Sequence, residues 1–372
     1  MNVKQSFLLK KLFNFLGNYL PFSFILTSWT LGGIVVLLLQ SLFLMGLSYE
    51  ENLPKTPFTA LEKSIDKTLV EKGEVFENSS KPISVIATTT IAADLLKKLG
   101  GEKVAVDSLM GVGVDPHNYI ASEGDLRKIL HADVVFYHGL NLEAKMTDVF
   151  ASMDKNNFKK AHDLSQSVDK KKIIMIGNHP DPHLWFDISL WKSVAKGASQ
   201  KLIELDTANK DYYASRLKNY LVNLDHLEKD VKSLFFSIPK KDRVLITSHD
   251  AFSYFARAYG FQVLSARGIN TQSQASTRDL QKLVKQITTY QARAFFLESS
   301  VSPKELYAIQ STLASEGYSF SLGGKLYSDS LGSDPVNSYE KVFYHNASAI
   351  ALALQKEQLT KVSQEKWHTT KN

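Results

Sequence analysis

Two copies of the tripeptide Asp-Pro-His mark where this sequence could do chemistry. His117 sits in Asp115-Pro116-His117-Asn118-Tyr119, and His183 in Asp181-Pro182-His183-Leu184-Trp185. Each proline fixes its own φ and stiffens the approach to the histidine. A third histidine, His249, begins His249-Asp250-Ala251-Phe252 just after Thr247-Ser248, and the loop Tyr327-Ser328-Asp329-Ser330-Leu331-Gly332 offers a carboxylate. Imidazole nitrogens with one carboxylate suit zinc, manganese or ferrous iron. Four protein ligands would close a tetrahedron. Catalytic activation of water instead needs three ligands and an open position. Two plainer roles compete at these positions: His249 could cap a helix, and Asp329 could close an Asx-turn beside its serines and glycine. Glu298, at a strand end, could orient a ligand histidine through a hydrogen bond, or stand as a surface charge.

The other histidines have less to recommend them. His131, His138, His162, His226 and His368 lie in helical, loop or tail contexts without suggestive neighbours. His345, in the last helix, reads as a surface group or as a partner to a ligand. His179 is alone in the segment before His183.

Composition narrows the chemistry further. The chain has 372 residues, 44% of them hydrophobic and 22% charged, an ordinary globular balance with length for more than one domain. It has no cysteine. That excludes disulfides, thiolate metal sites, thiol catalysis, iron–sulfur clusters and a lipid-modified cysteine. Half of the formal charge of +6 sits on Lys4, Lys10 and Lys11, in a stretch, residues 1–48, that carries no acid. No dense basic run follows, so nucleic acid is not an expected partner. The basic head and the apolar run 31–47 read as an export signal, with Gly46-Leu47-Ser48 as a cleavage candidate. Counted from Phe22, the same stretch is long enough for an uncleaved membrane anchor. Either reading puts the rest of the chain outside the cytoplasm.

The elements that must position these residues follow from periodicity. Residues 49–80 form a polar lead-in. From Ile83 onward, short β-type runs alternate with helical spacings, which predicts α/β units with mostly parallel sheets. In such sheets ligands collect at the carboxyl ends of the strands. Leu217, Leu221, Leu224, Leu227, Val231 and Leu234 recur at three- and four-residue steps and predict one helix over 209–236, about 40 Å long. The plain reading is a peripheral helix on a single sheet; the sharper one is a rigid rod joining two lobes. After it come strands at 243–247, 261–264 and 294–297 and helices at 251–259, 277–289, with Thr277 as a candidate N-cap, and 303–316, then a final helix at 338–355. The expected organisation is a signal or anchor at 1–48, a lead-in at 49–80, an α/β lobe at 81–208, the linking helix at 209–236, a second α/β lobe at 237–360 and a polar tail at 361–372.

These motifs, together with Thr247-Ser248-His249-Asp250-Ala251-Phe252-Ser253-Tyr254-Phe255-Ala256-Arg257-Ala258-Tyr259-Gly260-Phe261 and Phe295-Phe296-Leu297-Glu298, give the chain a specific resemblance to a known family. From about Ile83 to Gln355 it resembles the metal-binding solute receptors of ABC-type manganese, zinc and iron importers (the cluster A-I family). The resemblance implies two α/β lobes joined by one rigid helix, with metal bound between them by His117 and His183 from the first lobe and His249 and Asp329 from the second. It also implies one divalent ion as cargo and a permease with its ATPase as partners. The receptor is expected as a monomer.

Some positions depart from the family pattern. Gln274-Ala275-Ser276 stands where many members have an acidic residue and a proline. The stretch 170–180 replaces the long His-rich loop of the zinc-restricted branch, and His249 stands where manganese receptors often have glutamate. Zinc or ferrous iron is therefore favoured. Capture should weaken as pH falls through ~6.5, where imidazoles protonate. Release is expected from small loop shifts that withdraw Asp329 or His249. The rival readings are a secreted metallohydrolase with Asp250 or Glu298 as general base, for which no nucleophile elbow, zinc-protease motif or phosphate loop is present, and a surface adhesin of the same family.

Overall fold

The computed structural model describes residues 81–155, 161–292, 294–318 and 321–369, with side chains omitted at 154–155 and 356–369. The leader and lead-in lie outside the described residues.

The first lobe opens with β1 (Ile83–Ala87), α1 (Thr90–Gly100), β2 (Val104–Ser108), α2 (Glu123–His131), β3 (Val134–Tyr137), α3 (Thr147–Lys155) and β4 (Ala161–Asp163). A short hairpin, β5 (Met175–Ile176) with β6 (His179–Pro180), leads into α4 (Ile188–Leu205). Strand order is β2-β1-β3-β4, all parallel. Helices on both faces bury the central strands, which is why β1 and β3 are nearly continuous apolar runs.

The connector is α5 (Lys210–Phe235), 26 residues or about 39 Å. It packs on α1 and α4 of the first lobe and on the last helix of the second. Its buried stripe is Tyr213, Tyr220, Leu224, Leu227, Val231 and Phe235, whereas Leu217 and Leu234 are only partly buried against the core. The leucine spacing locates the helix; its inner face is turned towards the aromatics, which fill the space between three neighbouring helices.

The second lobe runs β7 (Val244–Thr247), α6 (Ser253–Tyr259), β8 (Gln262–Ser265), α7 (Thr277–Tyr290), β9 (Ala294–Glu298), α8 (Lys304–Ser315), β10 (Ser321–Leu326) and α9 (Tyr339–Thr369). Its sheet is again parallel, in order β10-β9-β7-β8. In both lobes the second strand flanks the first, and the third and fourth lie on the other side. Gly260 ends α6 at φ 71°, a left-handed position that suits glycine. The N-cap of α7 is Ser276, not Thr277: Ser276 and Asp279 form a reciprocal capping box, which satisfies two end amides where a lone threonine would satisfy one. The last helix, expected to close near Gln355, is described through Thr369.

The two lobes share one core. Phe186 of the first lobe lies 4.3 Å, ring to ring, from Phe252 of the second, and Trp191 stacks on Tyr339 at 5.3 Å. Both pairs belong to one buried cluster that also takes in the inner face of α5. A second, smaller cluster under α7 and α8 belongs to the second lobe alone.

Candidate metal centre

All four predicted residues meet at the carboxyl ends of the strands, between the lobes. His117 lies in the loop between β2 and α2, and His183 just after the β5–β6 hairpin. His249 lies between β7 and α6, and Asp329 between β10 and α9. Each is at most 1% exposed. One ligand atom from each of the four lies within 4.8 Å of the others, and among the described residues no other group of three or more His, Asp or Glu converges in this way.

The local sequence aims each side chain. In both Asp-Pro-His copies the aspartate accepts the backbone N–H of the histidine two residues on: Asp115 Oδ1 from His117 at 2.9 Å and Asp181 Oδ1 from His183 at 3.0 Å. The copies then differ. Asp181 Oδ1 also stands 2.7 Å from His183 Nδ1, while neither ring nitrogen of His117 has a protein hydrogen-bond partner. Glu298 takes His249 twice, its Oε1 accepting the backbone N–H at 2.9 Å and its Oε2 facing Nδ1 at 2.5 Å. An ionised carboxylate only accepts, so the Nδ1 atoms of His183 and His249 carry the protons and their Nε2 atoms face inward. Asp329 is turned by Ser300 and Ser328, whose hydroxyls donate to Oδ2 at 2.8 and 3.1 Å. Its Oδ1 is left without a hydrogen bond and points at the imidazoles.

The spacing of these inward atoms fits an ion. His183 Nε2 and His249 Nε2 are 3.3 Å apart, and Asp329 Oδ1 lies 3.4 and 3.5 Å from them. Tetrahedral ligands at about 2.0–2.1 Å from a zinc-sized ion stand about 3.3 Å from one another. Burial without hydrogen bonds is costly for Asp329 Oδ1 and the His117 nitrogens, and an ion would relieve Asp329 Oδ1 and one nitrogen of His117.

Without an ion, protons fill part of this role. Burial alone would push His183 down, but Asp181 and Asp329 outweigh it and hold the imidazolium at about 8. Burial likewise opposes charge on His249, and Glu298 and Asp329 override it, so its value rises well above the usual one. Burial would raise Asp329, yet the neighbouring His249 and His183 hold its carboxyl well below the ordinary range. His117, with no carboxylate on its ring, is pushed by burial to about 3 and stays neutral.

The other histidines with described side chains lie elsewhere, and the His368 side chain lies outside the described ones. His131, His179 and His226 are exposed, His162 packs edge-on to Phe136, and His345 contacts the Lys325 carbonyl and the Tyr327 ring rather than a site residue. His138 is not the unremarkable loop residue its sequence context suggests. It is 4% exposed, bonded to Thr89 Oγ1 at 2.7 Å and set edge-on to Trp185, with Glu143 accepting its backbone N–H and the Thr88 hydroxyl. Asp250 accepts from Ser253 Oγ at the start of α6. Sequence reasoning missed Asp181, Ser300, Thr271 and Gln272 as supporting groups. Only Asp181 carried a signal, the aspartate repeated two places before each histidine.

A family model described as the periplasmic zinc-uptake complex component A, ZnuA, matches residues 85–353. The chain is 39% identical over 282 residues to the manganese-binding lipoprotein MntA of Bacillus subtilis, covering 75% of this chain and 92% of that one. It is 35% identical over 277 residues to the zinc-binding protein TroA of Treponema pallidum, covering 74% and 89%. The solved structure of TroA superposes with a TM-score of 0.71 at 34% identity, over 74% of this chain and 99% of that one. The Fe(III)-bound structure of YtgA from Chlamydia trachomatis superposes at 0.67 with 26% identity, over 73% and 98%.

Proposed function

Because the chain belongs to the zinc-uptake component A family of metal-binding solute receptors, we propose that it captures one divalent first-row metal ion outside the cytoplasm and delivers it to an ABC-type importer, made of a permease and its ATPase. His117, His183, His249 and Asp329 are the proposed ligands, with Glu298 and Asp181 orienting two of the imidazoles. The observation that carries this reading is the buried set of inward-facing His183, His249 and Asp329 atoms at 3.3–3.5 Å, with His117 beside them.

The ion is cargo: zinc, iron or manganese. Three nitrogens and one oxygen favour zinc by raw affinity, while the relatives' names span manganese, zinc and iron(III).

We read the protein as a monomeric receptor and not an enzyme. Four protein ligands leave no place for an activated water. Of the two bases a hydrolase could use, Glu298 is engaged by His249 through both oxygens and Asp250 by Ser253.

Several relatives are named as lipoproteins, but this chain has no cysteine to carry a lipid. We assign the leader to export, by a cleaved signal or by an anchor within residues 22–47. Both lie outside the described residues, among which no helix is long and apolar enough to cross a membrane.

Titrating zinc, manganese and ferrous iron into the purified protein, with elemental analysis of native material, tests the reading. One equivalent should bind tightly. Unaltered binding by His117→Ala, His183→Ala and Asp329→Ala alike would refute the site.

A further inference from the structure

His117 is held unlike the other two site imidazoles. His183 and His249 each have a carboxylate on Nδ1, whereas the His117 ring is buried with no protein partner on either nitrogen. Its position is set through its backbone, at two points. Its N–H donates to Asp115 Oδ1 at 2.9 Å, and its carbonyl accepts from Gln272 Nε2 at 3.0 Å.

Both points are tied to the second lobe. The Thr271 hydroxyl donates to Asp115 Oδ2 at 2.5 Å, and Asn118 Nδ2 donates to Asp115 Oδ2 at 3.0 Å and to Thr271 Oγ1 at 2.8 Å. Thr271 is 5% exposed, although it lies in the loop between β8 and α7. That loop is fastened to its own lobe. Asp250 N–H donates to the Gly268 carbonyl at 3.1 Å and Arg267 N–H to the Ser248 carbonyl at 3.0 Å. The Arg267 guanidinium grips Glu305 on α8 at 2.5 and 3.0 Å and reaches the Thr271 carbonyl at 3.4 Å. A continuous line of polar contacts therefore runs from α8 to the backbone of His117 and joins it to the loop that bears His249.

We propose that Thr271 and Gln272 form an inter-lobe latch that holds His117 in the site and sets the rate of metal release. This rests on the metal-receptor reading above. With the latch closed, His117 completes the ligand set. A partner that pulls on the 268–272 loop frees Asp115 and the His117 carbonyl together, and the unbraced imidazole withdraws. His249 and Asp329 stay fixed by Glu298, Ser300 and Ser328, so the shared core need not open. Thr271 is then a positioning residue, acting on the ion only through His117.

The test is the release rate of zinc from loaded protein into excess chelator, followed by stopped flow. Thr271→Val keeps the volume and removes the hydroxyl, and should speed release about tenfold, the worth of one hydrogen bond to a charged group. Thr271→Ser keeps the hydroxyl and should release near the parent rate. Metal-free Thr271→Val loses the same hydrogen bond and should stay folded but melt a few degrees below the parent. In a His117→Ala background Thr271→Val should add nothing, because its route is already cut. Gln272 is exposed, so Gln272→Ala should fold regardless and speed release by a few-fold. Parent-like release from Thr271→Val or Gln272→Ala, equally fast release from Thr271→Ser, or full additivity with His117→Ala would overturn the latch. A parent protein that takes up no metal would instead overturn the receptor reading and the latch with it.

Discussion

Glu298 holds His249 from two directions at once, Oε1 on its backbone N–H at 2.9 Å and Oε2 on its ring Nδ1 at 2.5 Å. One carboxylate thus fixes the loop, the ring orientation and the tautomer that turns Nε2 inward. Glu298→Gln retains the shape but loses the charge that makes the imidazole a strong donor. Metal affinity should fall about 10–100-fold, the usual cost of losing a carboxylate behind a ligand histidine. Competition against a chelator of known affinity measures it; parent affinity in Glu298→Gln would mean that the carboxylate does not orient the ligand.

The pH dependence of capture should lie higher than free imidazole suggests. From the sequence, the decline is expected through ~6.5. In the folded protein Asp181 and Asp329 override burial and keep His183 protonated up to about 8, and His249 is shifted upward as well. An entering ion must displace these protons. Affinity should therefore keep rising with pH through about 8, with protons released on binding, and the upward-shifted His249 extends the rise further. Isothermal titration in buffers of different ionisation enthalpy counts them. A curve that is already flat above pH 7 would contradict these shifts.

The same groups make the metal-free fold pH-sensitive in the opposite sense. His183 has a folded value of about 8, above its ordinary 6.5. Its contribution is therefore full below about 6.5 and lost as pH rises through about 8, about 2 kcal/mol in all. His249 acts in the same direction, whereas the buried Glu143, lifted by burial from 4.5 to about 7, loses its contribution mostly at lower pH. Under chelation the melting temperature should drop between pH 6.5 and 8.5, while the zinc-loaded protein should not lose stability over that range. Thermal melts at the two pH values decide it; His183→Gln should remove part of the drop.

Much of the site could be read in the chain because each central residue carries a local mark. The Asp-Pro-His pairs are three-residue signatures, and His249 and Asp329 each follow a recognisable strand. What could not be read depends on separation along the chain. Thr271 meets Asp115 across 156 residues and Ser300 meets Asp329 across 29, and no pattern in either segment announces the other. The inner face of α5 is hidden from the sequence for a related reason: leucine spacing gives the helical period, but whether Leu217 or Tyr220 faces inward is set by the helices packed against it. The cap of α7 is legible locally: Ser276 and Asp279 carry the capping-box spacing, which outranks the lone Thr277.

The shared core predicts that the two lobes unfold together. Phe252, buried in the second lobe, packs 4.3 Å from Phe186 of the first and 6.3 Å from Phe255. Phe252→Ala leaves a cavity at this junction and should cost about 3–5 kcal/mol. If the core is one cooperative unit, that loss moves a single transition. With Trp29 and Trp367 replaced by phenylalanine, tryptophan fluorescence reports the first lobe through Trp185 and Trp191, and far-ultraviolet circular dichroism reports helices of both lobes. In denaturant the two signals should coincide in the parent and shift together in Phe252→Ala. Should the variant's circular dichroism split into two steps while the fluorescence transition stays put, the lobes fold independently. Release would then have wide opening available to it as well as the movement of a loop.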